Sequence, residues 1–125
     1  MRFAKIVFLA AGVWGLLILT PMFFLIERVG LDAPPPVTHP EFYYGFLGVA
    51  IAWQFAFLLI GSDPARYRPL MPVAMLEKFS FVVAAGVLYA QGRLAAGGML
   101  FGAFADLVLG VLFVLAFIRT RRPRA

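Results

Sequence analysis

Residues 94–118 read LAAGGMLFGAFADLVLGVLFVLAFI, 25 positions with a single charge, Asp106, at the centre. As a helix rising 1.5 Å per residue this stretch is roughly 37 Å long, against a bilayer hydrocarbon core of roughly 30 Å. A run of this length and polarity predicts a membrane span, with Asp106 near its midpoint. A carboxylate at that depth costs about 2.5–3.5 kcal/mol on insertion scales. Fourteen Leu, Ile, Val and Phe residues share the stretch. Each returns roughly 0.3–0.6 kcal/mol, so the helix inserts with its charge aboard.

Working outward, three more runs have the same character. Spans are predicted over 6–26, 42–61 and 72–92, with 95–118 as the fourth. Arg2 and Lys5 precede the first, an arrangement shared with signal peptides. The run is too long for a signal core, however, and Ile26-Glu27-Arg28 offers no small-x-small cleavage site, so it reads as a retained span. Thr20-Pro21 predicts a kink in it, since proline removes a helix hydrogen bond. Pro34-Pro35-Pro36 and Pro40 keep the connection 27–41 extended and out of regular helix. Phe42, Tyr43 and Tyr44 open the second span as an interfacial aromatic belt. Asp63-Pro64 reads as an N-cap and first helical position, starting a single turn through Arg66, Tyr67 and Arg68. The turn between the third and fourth spans is tight, so those helices are antiparallel neighbours.

Composition agrees with the spans. Hydrophobic residues make up 63% of the 125, well above a soluble domain. With no cysteine, disulfides, thiol nucleophiles and cysteine metal sites are excluded. A single His argues against a His-rich metal centre. No cofactor is expected. The net charge of +5 is concentrated rather than general. Arg119, Arg121, Arg122 and Arg124 follow an apolar span, which marks an anionic-lipid surface and not nucleic acid. Arg66 and Arg68 are expected to meet headgroup phosphates as well.

Four spans put the N-terminus, the second connection and the C-terminus on one side. That side carries Arg2, Lys5, Arg66, Arg68 and the four terminal arginines, against Arg28 and Arg93 on the other. The positive-inside rule then places both termini in the cytoplasm of a bacterial inner membrane. Backbone groups at membrane depth need internal partners, so the expected fold is an all-α, integral membrane four-helix bundle of antiparallel up-down neighbours, a single domain. Small residues mark its seams. Gly98, Gly102, Asp106 and Gly110 form one stripe, Gly45, Gly48 and Ala52 another, and Gly12 and Gly15 a third.

Few polar side chains are left to carry chemistry. Asp106 reads either as a hydrogen-bonded joint between helices or as a proton carrier or ligand-binding carboxyl. Gln54, at a similar depth in the second span, is its expected partner. Glu77, Ser80, Ala84 and Gln91 share one face of the third helix, small and polar enough to look into the bundle. Glu77 lies roughly 8 Å inside the cytoplasmic end, in reach of Arg66 or Arg68. It reads as part of an interfacial ion network or as a cavity-lining acid. Lys78, adjacent, is expected to snorkel to the cytoplasmic surface. His39 and Glu41 sit at the outer mouth, a weak metal or acid–base signal that reads more readily as surface decoration.

The run His39-Pro40-Glu41-Phe42-Tyr43-Tyr44-Gly45-Phe46, with Trp53-Gln54, Asp63-Pro64-Ala65-Arg66-Tyr67-Arg68-Pro69 and Leu76-Glu77-Lys78, resembles small bacterial four-helix membrane proteins without an assigned role. The closing Ala105-Asp106-Leu107-Val108-Leu109-Gly110-Val111-Leu112-Phe113 is similar to the last helix of DoxX-like proteins. The first span departs from the basic, glycine-containing opening of that family. The resemblance implies a four-helix bundle and a link to membrane redox or quinone-associated systems, and it supplies no catalytic residues.

These readings point to a small polytopic inner-membrane protein acting as a non-catalytic accessory or binding module. Two other functions remain open: a membrane enzyme acting on a lipidic or quinone-like substrate, with Glu77 and Asp106 as acid and base, and a small proton-coupled carrier using Asp106. Expected partners are membrane lipids and either a second copy or other membrane subunits.

Overall fold

The apolar runs form helices with little interruption, and the prolines set their ends. In a computed structural model, which describes residues 2–95 and 97–120, α1 spans Arg2–Met22. Instead of kinking the helix, Pro21 lies in its last turn, and the chain unwinds through short-range bonds such as Phe24 N to Pro21 O. A first-turn proline costs nothing, because its N–H would have no partner there anyway. Pro40 opens α3, Pro40–Ser62, in this way, and Pro72 is the second residue of α4, Met71–Ala90. The last helix, α5, covers Gly98–Arg119. These four are each long and apolar enough to cross a membrane.

The connections differ from expectation in two places. The segment 27–41 is not extended throughout: Ile26–Asp32 forms a short helix, α2, and only the proline run beyond it is irregular. Glu27 in its first turn and the Arg28–Asp32 pair, 3.1 Å apart, favour that turn locally. In the second connection the turn after Asp63 forms as expected, but Arg68 leaves it for the start of the next helix. Asp63 Oδ1 accepts from Arg66 N, and the turn passes into a 3-10 helix at Arg68–Leu70 that runs directly into α4.

Contacts along the chain fix an antiparallel bundle. Tyr43 Oη donates to Met22 O at 2.6 Å, binding the start of α3 to the end of α1 and satisfying a last-turn carbonyl. Gly61, at the other end of α3, lies against Leu9. α1 packs along α3 and α4 along α5; α1 also meets α5, while the α3–α4 seam is the slightest of the four. Arg68 Nε donates to Thr120 O at 2.7 Å, and the Arg119 guanidinium stands 4.6 Å from the Phe3 ring. The N-terminus, the second connection and the end of α5 therefore share one end of the bundle. Arg121, Arg122 and Arg124 lie outside the described residues.

Packing is uneven along the bundle axis. The core is built on Phe8, Phe57 and Phe113, with Phe8 and Phe113 stacked at 4.3 Å and Phe57 edge-on to Phe113 at 5.0 Å. Ile60, Met71, Ala74 and Ala116 complete it, all toward the basic end. Toward the other end burial thins to Leu47, Ala85 and Ala103. Outward-facing apolar residues such as Leu17, Leu76, Phe101 and Ile118 are 67–69% exposed, a surface suited to lipid tails and not to water.

Of the predicted small-residue seams, the one on α1 is a packing face. A Cβ on Gly15 would overlap the Gln54 side chain. The other two need correction. Gly45, Gly48, Gly98 and Gly102 have open space around them, and Ala52 is exposed. On α5 only Gly110 is tightly packed, under the ring of Phe79. The inward faces are instead made by Leu47, Ala50, Gln54 and Phe57 on α3 and by Ala103, Gly110, Phe113 and Ala116 on α5. Larger side chains fill the aromatic core, so the glycines away from it are not needed for close approach.

Candidate functional site

The 3-10 helix sets the depth of the polar residues. Because it joins α4 without a break, the membrane-crossing unit begins at Arg68 and is 23 residues long. Glu77 then lies about 14 Å in, not 8 Å. Neither Arg66 nor Arg68 partners it: Arg68 is bonded to Thr120 O and stacked 3.8 Å from the Phe117 ring, and Arg66 lies against Tyr67.

Lys78 is the centre of the site. It does not snorkel to a surface; it is 5% exposed and points into the bundle. Its Nζ donates to Asp106 Oδ1 at 3.2 Å and lies 3.6 Å from Glu77 Oε2 and 5.1 Å from the centroid of Phe57. An ammonium removed from water needs compensation of this kind, and two carboxylates with an aromatic face supply it. Asp106 is therefore paired with Lys78 across the α4–α5 hairpin, and the expected partnership with Gln54 is not formed.

Gln54 has a different role. It is 2% exposed, and its Nε2 donates to Ala50 O at 2.8 Å, one turn back in its own helix. Its Oε1 faces Gly15 and receives no hydrogen bond from the described residues. The side chain fills the notch left by the missing Cβ of Gly15, so it joins α1 to α3 without entering the ion cluster.

Glu77 borders open space. A cleft of about 690 Å³ lies between α3 and α4, where the seam is slight. Phe46, Val49 and Trp53 form one wall, Leu76 and Phe81 the other, with Glu77 and Ser80 as its polar groups. Glu77 Oε2 is buried and makes no hydrogen bond among the described residues. The face predicted to look into the bundle is thus rotated: Ser80, Ala84 and Gln91 are exposed, while Met71, Ala74, Lys78 and Ala85 are buried. His39 Nδ1 and Glu41 Oε1 are 3.3 Å apart at the opposite end, both largely exposed.

The Lys78–Asp106 contact had a signal in the sequence that depth arguments overlook. The two residues lie fourteen positions before and fourteen after Gly92, whose φ of +72° turns the chain. A hairpin folded about that glycine places them opposite one another. Trp53 and Phe57 carried no such signal, because nothing separates them from the other aromatics until the helix faces are known. No family model, curated protein or solved structure matches the chain.

Proposed function

We propose that this is a multi-pass protein of the bacterial inner membrane that acts as a non-catalytic binding or accessory module, taking a small lipid-soluble ligand into the α3–α4 cleft from the bilayer. The observation that carries the reading is the open seam, which brings an apolar cleft to the edge of a buried ion cluster. Its volume falls within the range of about 300–1,000 Å³ typical of small-molecule sites. Apolar walls with few polar groups are the usual composition of such sites. Eight basic residues against two support an orientation with both termini in the cytoplasm. Membrane lipids contact the outer surface, and a second copy or another membrane subunit completes the accessory role.

The chain has no cysteine, so single cysteines test the cleft cleanly. Val49→Cys and Ser80→Cys stand on opposite walls and react with a lipid-soluble maleimide in membranes. Ala74→Cys, in the packed core, stays protected. Protection of both cleft cysteines overturns the reading. A second reading, a proton-coupled carrier or an enzyme on a lipidic or quinone-like substrate, draws support from the partial exposure of Glu77 and Asp106, 20% and 23%. Proton-linked flux in proteoliposomes that Asp106→Asn abolishes would favour the carrier.

A further inference from the structure

We infer that the α3–α4 cleft receives a lipophilic organic monocation, an amine or quaternary centre on an apolar body, with Glu77 as its counter-charge. The inference rests on the binding-module reading above and names the ligand class of that site.

Three observations carry it. The first is the charge balance of the cluster. Lys78 faces two carboxylates, so the group holds one formal negative charge in excess when all three are ionised. Unbalanced charge at membrane depth is expensive and calls for a counter-charge. The second is how the one ammonium is shared. Asp106 receives its hydrogen bond at 3.2 Å, while Glu77 Oε2 is 3.6 Å away, beyond good hydrogen-bonding distance, and has no other partner among the described residues. The under-compensated carboxylate is the one that borders the cleft. The third is the lining. Among the described residues the cleft contains one acid and no base, and Phe46, Trp53 and Phe81 contribute aromatic rings to its lining. Such rings attract cations, as Phe57 already does for Lys78. An anion would be repelled by the excess negative charge of the cluster, and a neutral ligand would leave that charge unmet.

The test uses the full chain in nanodiscs of zwitterionic lipid, with Trp14→Phe leaving Trp53 as the fluorescent reporter. Tetraphenylphosphonium is the cationic probe, triphenylphosphine oxide the neutral one and tetraphenylborate the anionic one, each corrected with empty nanodiscs. Saturable quenching by the cation is expected, at least tenfold weaker with the neutral probe and absent with the anion. Glu77→Gln weakens cation binding at least tenfold. Equal binding of neutral and cationic probes, or unchanged binding in Glu77→Gln, overturns the cation inference and leaves the binding module standing. Saturable binding of none of the three overturns both. Should Glu77→Gln fail to fold, Val49→Phe carries the test by filling the cleft without touching a charge. At least a tenfold loss of cation binding is then expected, and unchanged binding overturns the inference.

Discussion

Lys78 Nζ and Asp106 Oδ1 are 3.2 Å apart, joining α4 to α5 within the bundle. Each residue alone is costly in a membrane span, and each explains the other. The lysine is buried because a carboxylate lies opposite it, and the aspartate at the centre of α5 is tolerated because an ammonium reaches it. The pair stands where the packed aromatic half of the bundle gives way to the looser half, and Glu77 extends it to the α3–α4 cleft.

Breaking this pair from one side is costly. Lys78→Met leaves two carboxylates without their cation and destabilises the folded protein by about 3–5 kcal/mol. The double variant Lys78→Met with Asp106→Leu removes the bonded pair but leaves Glu77 without its cation, so it recovers only part of that loss. Thermal unfolding in detergent, run as a double-mutant cycle, gives the coupling. Additive losses would show that the pair does not interact.

The α1–α3 seam depends on Gly15. Gly15→Ala forces a methyl group into the Gln54 side chain and costs about 1–3 kcal/mol. Gln54→Ala in the same chain relieves the clash. Gly45→Ala and Gly48→Ala, in open space, stay within about 0.5 kcal/mol of the parent. The same unfolding assay separates these outcomes.

That contrast shows what the sequence makes legible. The four spans, their antiparallel order and the shared basic end follow from hydropathy and charge, which act residue by residue. Which glycines pack is a property of helix rotation, and four nearly uniform apolar helices carry almost no signal for it. Gly12 and Gly15 pack because Leu58 and Gln54 of α3 fill the space beside them, and their being small residues marks the seam without naming those partners. Gly98 and Gly102 look equivalent in sequence yet face outward, because Ala103 and Phe113 set the inward face of α5. Glu77 lies deeper than hydropathy implies because a 3-10 turn lengthens its span by an amount the pattern does not reveal.

The core rests on its aromatic trio. Phe113→Ala removes a fully buried ring stacked on Phe8 and costs about 3–5 kcal/mol. Phe101→Ala, on the same helix but 67% exposed, changes stability by no more than about 0.5 kcal/mol. Comparable losses at the two positions would contradict the inward face assigned to α5.

Orientation is open to direct assay. A green fluorescent protein fused after residue 125 is expected to fluoresce, and alkaline phosphatase inserted in the proline-rich connection near His39 is expected to be active. The reverse pattern would invert the bundle while leaving its internal contacts intact.

The buried contact between Lys78 and Asp106 is open to direct measurement by solid-state NMR. Protein carrying ¹⁵N at lysine Nζ and ¹³C at aspartate Cγ is reconstituted in lipid, with Lys5→Arg leaving Lys78 as the one labelled amine. The Nζ–Oδ1 distance of 3.2 Å places Cγ within about 4.5 Å of the nitrogen. Strong dipolar dephasing at that distance, lost in Asp106→Asn prepared with the same labels, is the predicted result. A Lys78 amine that shows no dephasing, and that exchanges with bulk water as a surface lysine does, would contradict the account.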